Sequence, residues 1–306
     1  MKRQNIIIDC DPGHDDAIAL LLACYSPQLN LLGVSTCSGN QTVEKTSLNA
    51  SNLLHFFNRE NIPVAIGSPS PLFRESRICP EIHGESGLDG FDFQKYNHVY
   101  SKLKGYELII KLLEDNDDVI VVTTGPMTNL GLAIKNKPSI TKRIKEIVLM
   151  GGSTDKGNIT EAAEFNILVD PEAADICFKS GVPKRMLGLN VTRQILVKDG
   201  VVKKAEKINT RGSDLFVKLM KVFNQNQRDF FGLEAGPLHD PATIVSLING
   251  NAFVFNDMNV SIDTSRGDSA GKTICKENKP YNAKVAVSVN LEEYWKEIFK
   301  HLEMCI

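Results

Sequence analysis

Ile6-Ile7-Ile8-Asp9-Cys10-Asp11-Pro12-Gly13-His14-Asp15-Asp16 joins a short apolar run to four aspartates through a Pro-Gly turn. The three isoleucines predict a β-strand buried on both faces. Because Pro and Gly favour a turn and acidic residues favour the first turn of a helix, we expect a helix to begin near Asp15. A strand, a turn and a helix in this order are typical of an α/β fold with a parallel sheet.

The same alternation continues along the chain. Apolar runs of strand length are separated by segments with helical spacing, and no Pro/Ser/Gly-rich linker or fixed-period repeat interrupts them. We therefore predict an open, mainly parallel, Rossmann-like α/β sheet with helices on both faces, in a single domain over residues 1–306. The predicted strands are 6–8, 31–36, 64–66, 119–123, 146–150, 185–189, 253–262 and 283–289, and the predicted helices include 16–24, 42–57, 106–113, 129–134 and 171–178.

Composition excludes several kinds of partner. The 306 residues are 42% hydrophobic and 24% charged, and the formal net charge of -2 gives no positive field for nucleic acid or an anionic membrane. No segment is apolar for long enough to span a membrane or to act as a secretory signal. The seven cysteines are scattered and form no Cys-x-x-Cys pair, as expected for reduced thiols. We expect a cytoplasmic protein that binds a small molecule.

Asp9, Asp11, Asp15 and Asp16 lie within eight residues, and so many carboxylates together are costly without a cation. Oxygen ligands suit Ca²⁺ or Mg²⁺, and the lack of a His/Cys cluster argues against zinc. An EF-hand is excluded because its twelfth position needs a glutamate and Leu20 stands there. A haloacid-dehalogenase-type phosphatase also begins with Asp-x-Asp, but Pro-Gly and two more aspartates do not fit its loop. A turn and an acidic helix start without any metal are the simpler alternative.

Polar and glycine residues follow the predicted strands at their carboxyl ends, where open parallel sheets bind ligands. The four aspartates follow the first strand, and the segments after four others are Ser38-Gly39-Asn40, Thr124-Gly125-Pro126, Gly151-Gly152-Ser153 and Asn190. Five strand ends are therefore expected to meet at one rim of the sheet.

Residues 9–17 resemble the signature of the inosine-uridine preferring nucleoside hydrolase family. Further segments match this family in its order from residue 6 to about 241, and the C-terminal strand and helix also fit. Any one segment is weak, whereas the combination is highly specific. The segments are Gly39-Asn40-Gln41-Thr42, His83-Gly84-Glu85-Ser86-Gly87-Leu88, Thr124-Gly125-Pro126-Met127-Thr128-Asn129, Val148-Leu149-Met150-Gly151-Gly152, Ala163-Glu164-Phe165-Asn166 and His239-Asp240-Pro241.

The resemblance implies one Ca²⁺ per subunit. Its ligands would be the carboxylates of Asp11, Asp16 and Asp240 and the backbone carbonyl of Thr124, with the open positions taken by a water molecule and the ribose 2′- and 3′-hydroxyls. Asp11 would also be the general base that takes a proton from the attacking water. Asp9 is expected to support these ligands from behind rather than to bind the metal.

The resemblance also implies how the ribose is bound. Asp15, Asn40 and Asn166 would hold the 2′ and 3′ side, while Asn158 and Glu164 would bind the 5′-hydroxyl. Amides and carboxylates suit sugar hydroxyls because hydroxyls both donate and accept hydrogen bonds.

At the base end, His239 is the candidate acid, because a departing base needs a proton or a hydrogen-bond donor. His83 would bind the base from a glycine-rich loop that could close over it. Met150 and Phe165 would pack against the sugar or the base, although both could equally be core residues. His14 lies where the family motif tolerates many residues, and we assign it no role.

Gln227 and Phe231 are four residues apart in a predicted helix beside the base pocket. Gln227 would read the edge of a pyrimidine and Phe231 would stack on it, whereas pyrimidine-preferring members of the family place a Gln and a Tyr at these two positions. The missing hydroxyl leaves the base preference open.

The sequence therefore predicts calcium-dependent hydrolysis of inosine-, uridine- or cytidine-type ribonucleosides to ribose and free base, for nucleoside salvage or catabolism, by a homodimer or homotetramer. The alternative is a catalytically silent, calcium-dependent nucleoside-binding protein, which the presence of both Asp11 and His239 disfavours. Gly267-Asp268-Ser269-Ala270-Gly271-Lys272-Thr273 resembles a phosphate-binding loop, but it has three residues between its glycines where four are required. We expect it to be a turn between late strands.

Overall fold

Strand β1 (Gln4–Cys10) lies inside a nine-stranded sheet in the computed structural model, which describes residues 3–306. Its isoleucines alternate between two cores, since Ile6 and Ile8 pack on one face and Ile7 on the other. Both faces are covered, which explains the continuous apolar run. The other strands are β2 (Leu29–Thr36), β3 (Val64–Ala65), β4 (Val119–Thr123), β5 (Ile144–Met150), β6 (Lys184–Leu187), β7 (Phe253–Ile262), β8 (Thr273–Lys276) and β9 (Ala283–Val289).

The strands follow the order β3-β2-β1-β4-β5-β6-β9-β7-β8. Strands β1 to β6 and β9 are parallel, whereas β7 runs antiparallel to both β9 and β8. The first six strands have the order of a Rossmann-like sheet, so the predicted fold class is confirmed. The order reverses between β1 and β4, and the crevice at such a reversal is where these sheets bind ligands.

Helices cover both faces of the sheet. In the described part of the chain they are α1 (His14–Tyr25), α2 (Val43–Phe56), α3 (Pro80–His83), α4 (Gly105–Asp115), α5 (Thr128–Asn136), α6 (Phe165–Val169), α7 (Pro171–Lys179), α8 (Leu189–Thr192), α9 (Asp199–Glu206), α10 (Arg211–Phe231), α11 (Pro241–Ile248) and α12 (Leu291–Met304). Helices α1, α10, α11 and α12 pack in the core that contains Ile6, and α4, α5 and α7 pack in the core that contains Ile7. A 3₁₀ helix spans Pro138–Arg143.

Helix α1 begins at His14, one residue before the expected start, with Gly13 as its N-cap. The Asp16 carboxylate accepts a hydrogen bond from the Gly13 N–H at 3.0 Å, which ties the turn to the helix. Asp15 and Asp16 thus favour the start of the helix, as expected for a turn and an acidic helix start without any metal. Both are nevertheless buried, at 5% and 0% exposure, whereas acids at a helix start are normally solvated. Carboxylates that are buried to this extent require a partner in addition to the N-terminus of the helix.

The segment that resembles a phosphate loop connects β7 to β8, and Thr273 is the first residue of β8. No helix follows it, so the expected turn between late strands is confirmed. Within residues 3–306, no helix is both long enough and apolar enough to cross a membrane.

Candidate active site

Asp11 follows β1 at the point where the strand order reverses, and two glycines enclose its carboxylate. A β-carbon on Gly39 would lie 2.0 Å from Asp11 Oδ2, and one on Gly125 would lie 2.3 Å from Oδ1, so only glycine fits at either position. Oδ2 accepts a hydrogen bond from the Asn40 N–H at 2.7 Å. Oδ1 is buried without a hydrogen-bond partner among the described residues. A buried carboxylate oxygen of this kind needs a cation or a water molecule.

Asp16 is held by the loops that follow three different strands. Its Oδ2 accepts hydrogen bonds from the Gly13 N–H and from Asn40 Nδ2, the latter at 3.1 Å. Its Oδ1 accepts one from Thr124 Oγ1 at 2.7 Å. The loops after β1, β2 and β4 therefore fix the orientation of this carboxylate.

Asp15, Asp16 and Asp240, which we call the acid trio, each bring one carboxylate oxygen within 4.8 Å of the others. Burial raises the pKa of all three, that of Asp15 to about 7, and repulsion between the carboxylates adds to the shift for Asp15 and Asp240. Burial and then repulsion from Asp16 also raise the pKa of Asp11. Buried acids this close fit the donor set of a hard divalent cation. The expected ligand Asp11 lies outside the trio, and Asp15, expected on the ribose, lies within it.

The backbone carbonyl of Thr124 lies beside Asn166. Asn166 Nδ2 donates to this carbonyl at 2.7 Å and to the Met150 carbonyl at 3.2 Å. A carbonyl oxygen accepts two hydrogen bonds, so Thr124 keeps one lone pair for a cation.

Glu164 caps helix α6 and is 3% exposed. Its Oε1 accepts a hydrogen bond from the Asn166 N–H at 2.8 Å, and its Oε2 accepts one from the Gly152 N–H at 2.9 Å. Burial raises the pKa of Glu164 to about 6, against the effect of these donors. Nearby, Asn158 Oδ1 accepts a hydrogen bond from the Phe165 N–H at 3.0 Å.

One cavity of about 480 Å³ brings nearly all the predicted site residues together. Its volume is that of a small-molecule site. Asp11 and Asp16 are completely buried and do not line it. The predicted residues that line it are Asp15, Asn40, His83, Thr124, Met150, Asn158, Glu164, Phe165, Asn166, Gln227, Phe231, His239 and Asp240.

His83 is the last residue of α3, rather than part of the loop that follows, and its ring forms a three-ring cluster with those of His14 and Phe223, which are themselves 5.6 Å apart. The ring centroids are 5.5 Å and 5.9 Å from that of His83. The His14 backbone N–H donates to His83 Nδ1 at 3.3 Å. His14 Nδ1 lies 3.4 Å from the same atom, and burial lowers the pKa of His83 well below its usual range, which favours a neutral ring. His14, to which we assigned no role, therefore contacts a cavity residue through both its backbone and its ring.

Phe223, Gln227 and Phe231 are four residues apart along α10 and share the face that lines the cavity. Gln227 is 5% exposed, and its amide forms no hydrogen bond with the described residues. Phe231 is 38% exposed. An unpartnered amide thus lines the cavity from the same helix face as two aromatic rings.

His239 Nδ1 lies 2.7 Å from Thr192 Oγ1. Burial, followed by repulsion from Arg193, lowers the pKa of His239 to about 3, so its ring is neutral. When the Thr192 hydroxyl donates to Nδ1, the proton of His239 is on Nε2. Arg193 also lines the cavity and donates to the Lys156 carbonyl at 3.0 Å.

Sequence reasoning missed several lining residues, because an apolar residue beside a ligand has the same sequence pattern as one in the core. These residues include Cys79, Ile82, Ile159, Leu196, Phe223 and Leu233, together with the charged Arg193. Asp9 lies behind the site as expected, where its Oδ1 accepts hydrogen bonds from Ser35 Oγ at 2.6 Å and Asn129 Nδ2 at 2.8 Å.

Known proteins share this architecture. The family model for inosine-uridine preferring nucleoside hydrolase matches residues 6–296. The pyrimidine-specific ribonucleoside hydrolase RihB of Shigella flexneri serotype 5b is 39% identical over 300 residues, which cover 96% of each chain. A plant nucleoside hydrolase, the PpNRh1 enzyme, superimposes with a TM-score of 0.92 at 28% identity over 99% of each chain. A purine-preferring ribonucleoside hydrolase from Gardnerella vaginalis gives a TM-score of 0.90 at 28% identity, over 98% of this chain and 99% of that one. The resemblance seen in the sequence is confirmed, and the chain belongs to the inosine-uridine preferring nucleoside hydrolase family.

Proposed function

We propose that this protein hydrolyses the N-glycosidic bond of pyrimidine ribonucleosides, with calcium as its cofactor, to release ribose and the free base. Membership of a nucleoside hydrolase family supports the reaction. The observation that carries the proposal is one cavity whose lining divides into two kinds of side chain, acids and amides on the one hand and apolar and aromatic residues on the other. A ribonucleoside has the same division between a hydroxyl-rich sugar and a flat base.

The acid-rich end suits a calcium ion. The unpartnered Oδ1 of Asp11 and the closeness of Asp16 and Asp240 support a cation there. We assign the carboxylates of these three residues and the Thr124 carbonyl as ligands of one ion per subunit. When bound, Ca²⁺ supplies charge that lowers the pKa of a water molecule and orients the ribose hydroxyls. Asp15, which is part of the acid trio, would bind a ribose hydroxyl.

Asp11 is suited to accept the proton of the attacking water. Its Oδ2 is occupied by the Asn40 N–H, so the free lone pairs are on Oδ1. Gly39 and Gly125 pack against the carboxylate and keep it from turning. As water attacks C1′, the C1′–N bond breaks and positive charge develops on the ribose, which the surrounding carboxylates stabilise.

His239 would assist departure of the base as a neutral hydrogen-bond donor rather than as an imidazolium. Burial lowers its pKa, which favours a neutral ring. When the Thr192 hydroxyl donates to Nδ1, the Nε2 proton is available to the base.

Amides and one carboxylate would hold the ribose. Asn40 and Asn166 each bond a residue of the proposed metal site and also line the cavity, so they suit the 2′ and 3′ side. Asn158 and Glu164 suit the 5′-hydroxyl. Met150 and Phe165 would pack against the sugar or the base from the same cavity wall.

A pyrimidine preference is supported by the base end of the cavity. The Gln227 amide offers one acceptor and donors, as the edge of uracil or cytosine requires, and Phe223 and Phe231 offer faces for stacking. His83 adds a ring that lines the same cavity. A 39% identical relative is named pyrimidine-specific.

We also propose that the protein acts as a cytoplasmic homodimer or homotetramer. All seven cysteines lie within the described residues and are free, which suits a reducing compartment.

The test is release of base from uridine, cytidine, inosine and adenosine, each with calcium and with chelator. We expect the two pyrimidine ribosides to be cleaved fastest and chelator to abolish the activity. Absence of base release from every nucleoside with calcium present would contradict the proposed hydrolysis and leave a nucleoside-binding protein. Faster cleavage of inosine than uridine would contradict the base preference alone.

A further inference from the structure

We infer that Thr273, in the β7–β8 hairpin, is a positioning residue for the 5′-hydroxyl end of the site. It acts through the Gly152–Ser153 turn, which holds Glu164. The inference rests on the proposed function, because it concerns how Glu164 meets the substrate.

Thr273 binds both backbone groups of Ser153. Its Oγ1 accepts a hydrogen bond from the Ser153 N–H at 2.8 Å and donates one to the Ser153 carbonyl at 2.6 Å. Both residues are buried, at 6% and 4% exposure, so water does not replace these bonds. One hydroxyl thus fixes the turn that follows β5 from a hairpin 120 residues further along the chain.

The turn fits Thr273 closely. Gly152 has a φ of +70°, a conformation that glycine adopts without strain. A β-carbon on Gly152 would lie 2.5 Å from Thr273 Cγ2 and 2.8 Å from Met186 Cε. The turn therefore packs directly on the Thr273 side chain, and its position depends on that residue.

The same turn supplies one of the three N–H groups that hold the Glu164 carboxylate. Oε2 accepts from Gly152 at 2.9 Å and from Ile167 at 3.1 Å, which uses both of its lone pairs. Oε1 accepts from Asn166 at 2.8 Å and keeps one lone pair. That lone pair is the one available to a 5′-hydroxyl, and its direction depends on the Gly152 N–H.

Replacing Thr273 with Val keeps the shape of the side chain and removes both hydrogen bonds. The buried N–H and carbonyl of Ser153 then lack partners, and the turn shifts to satisfy them. Glu164 loses its alignment with the 5′-hydroxyl. The Gly152 carbonyl also accepts from the Leu189 N–H at 2.9 Å, at the start of α8, and α8 carries Thr192, which contacts His239. A shift of the turn therefore also lowers kcat/KM for both substrates. The ratio between two substrates isolates the effect on the 5′ end.

The experiment compares kcat/KM for uridine with that for 5′-deoxyuridine, which lacks only the 5′-hydroxyl. We expect the wild type to prefer uridine roughly 10- to 100-fold, as for a hydrogen bond to a charged group, and Thr273→Val to lower this preference by about tenfold. Thr273→Ser, which retains the hydroxyl, restores most of it. Thr273→Cys weakens both bonds and should show a smaller loss, so the inference stays testable if the valine variant does not fold.

Thr210→Val is the matched control. Thr210 Oγ1 also accepts from one backbone N–H, that of Ser213 at 3.2 Å, and donates to one carbonyl, that of Leu302 at 2.7 Å, but neither partner belongs to the turn that holds Glu164. It should lower the melting temperature and leave the uridine preference unchanged. A folded Thr273→Val or Thr273→Cys protein with the wild-type preference would overturn the inference. Failure of the wild type to release uracil would instead overturn the proposed function.

Discussion

Removing the divalent cation is expected to lower the thermal stability by an amount set by repulsion within the acid trio. The oxygens of Asp15, Asp16 and Asp240 lie within 4.8 Å of one another. At that distance and an effective dielectric constant of about 20, Coulomb's law gives about 3.5 kcal/mol for each pair and about 10 kcal/mol for the three pairs. This is comparable with the whole free energy of unfolding of a typical protein, which is about 5–15 kcal/mol.

Part of this repulsion is relieved when the free protein takes up protons, as the raised pKa values of the trio indicate. A net loss of about 3–5 kcal/mol on chelation corresponds to a decrease in melting temperature of about 5–10 °C, at about 2 °C per kcal/mol for a chain of this size. The assay is thermal unfolding at pH 8 and low salt, with excess calcium, with chelator, and with calcium or magnesium added back.

Two variants separate the trio from other buried acids. Asp240→Asn removes one charge of the trio and leaves one of its three pairs, so calcium should raise the melting temperature by only about a third as much as in the wild type. Asp170 is also a completely buried carboxylate, but it caps α7 by accepting from the Ala173 N–H at 3.0 Å and lies outside the trio. Asp170→Asn should melt at a lower temperature and keep the full response to calcium. Identical melting of the wild type with calcium and with chelator would refute this reasoning.

Three further substitutions test separate parts of the structure. Asp11→Asn should lower kcat/KM by about 10²–10⁴-fold, and a loss of less than tenfold in base release would remove Asp11 from the role of general base. Burial lowers the pKa of Lys184 to about 8, below its value of 10.5 in the unfolded chain. The buried positive charge therefore destabilises the folded protein below pH 8, and this destabilisation disappears as the pH rises from 8 to 10.5. Lys184→Met should therefore gain about 1–3 kcal/mol in urea unfolding at pH 7 and nothing above pH 10.5, and an equal gain at both values would contradict the cause. Gln227→Met should raise KM for uridine about 3- to 10-fold without altering the melting temperature, and an unchanged KM would show that Gln227 does not bind the base.

The sequence predicted the sheet well, and the reason is physical. Parallel strands buried on both faces have continuous apolar runs, and the carboxyl ends of such strands meet at one edge of the sheet. The side chains of Asp11, Asn40 and Thr124 could therefore be expected at one place before any contact was known. The family motifs at residues 9–17, 39–42 and 124–129 support the same expectation, because they stand at the ends of β1, β2 and β4.

Contacts between distant segments were not predictable in the same way. The His14 ring contacts His83 and Phe223, which lie 69 and 209 residues further along the chain, and no local pattern specifies a ring stack. Thr273 lies in a segment whose sequence pattern indicated only a turn. The sequence also did not predict that Asp15 lies close to Asp16 and Asp240. Adjacent acids at the start of a helix look the same in a sequence whether they bind a cation, a sugar or water.

The hydrogen bonds of this site orient two of its acids without a cation. Asp11 and Asp16 are oriented by neutral donors, the backbone and side chain of Asn40 and the hydroxyl of Thr124, and these come from loops at the ends of β2 and β4. Such donors depend only on the parallel sheet that carries the loops. The sheet can therefore place two acids in fixed positions at a cost in electrostatic energy, and a cation that binds later recovers that energy. Stability gained on binding of the proposed cation and the geometry of the proposed catalytic site thus have the same origin in the ends of β1, β2 and β4.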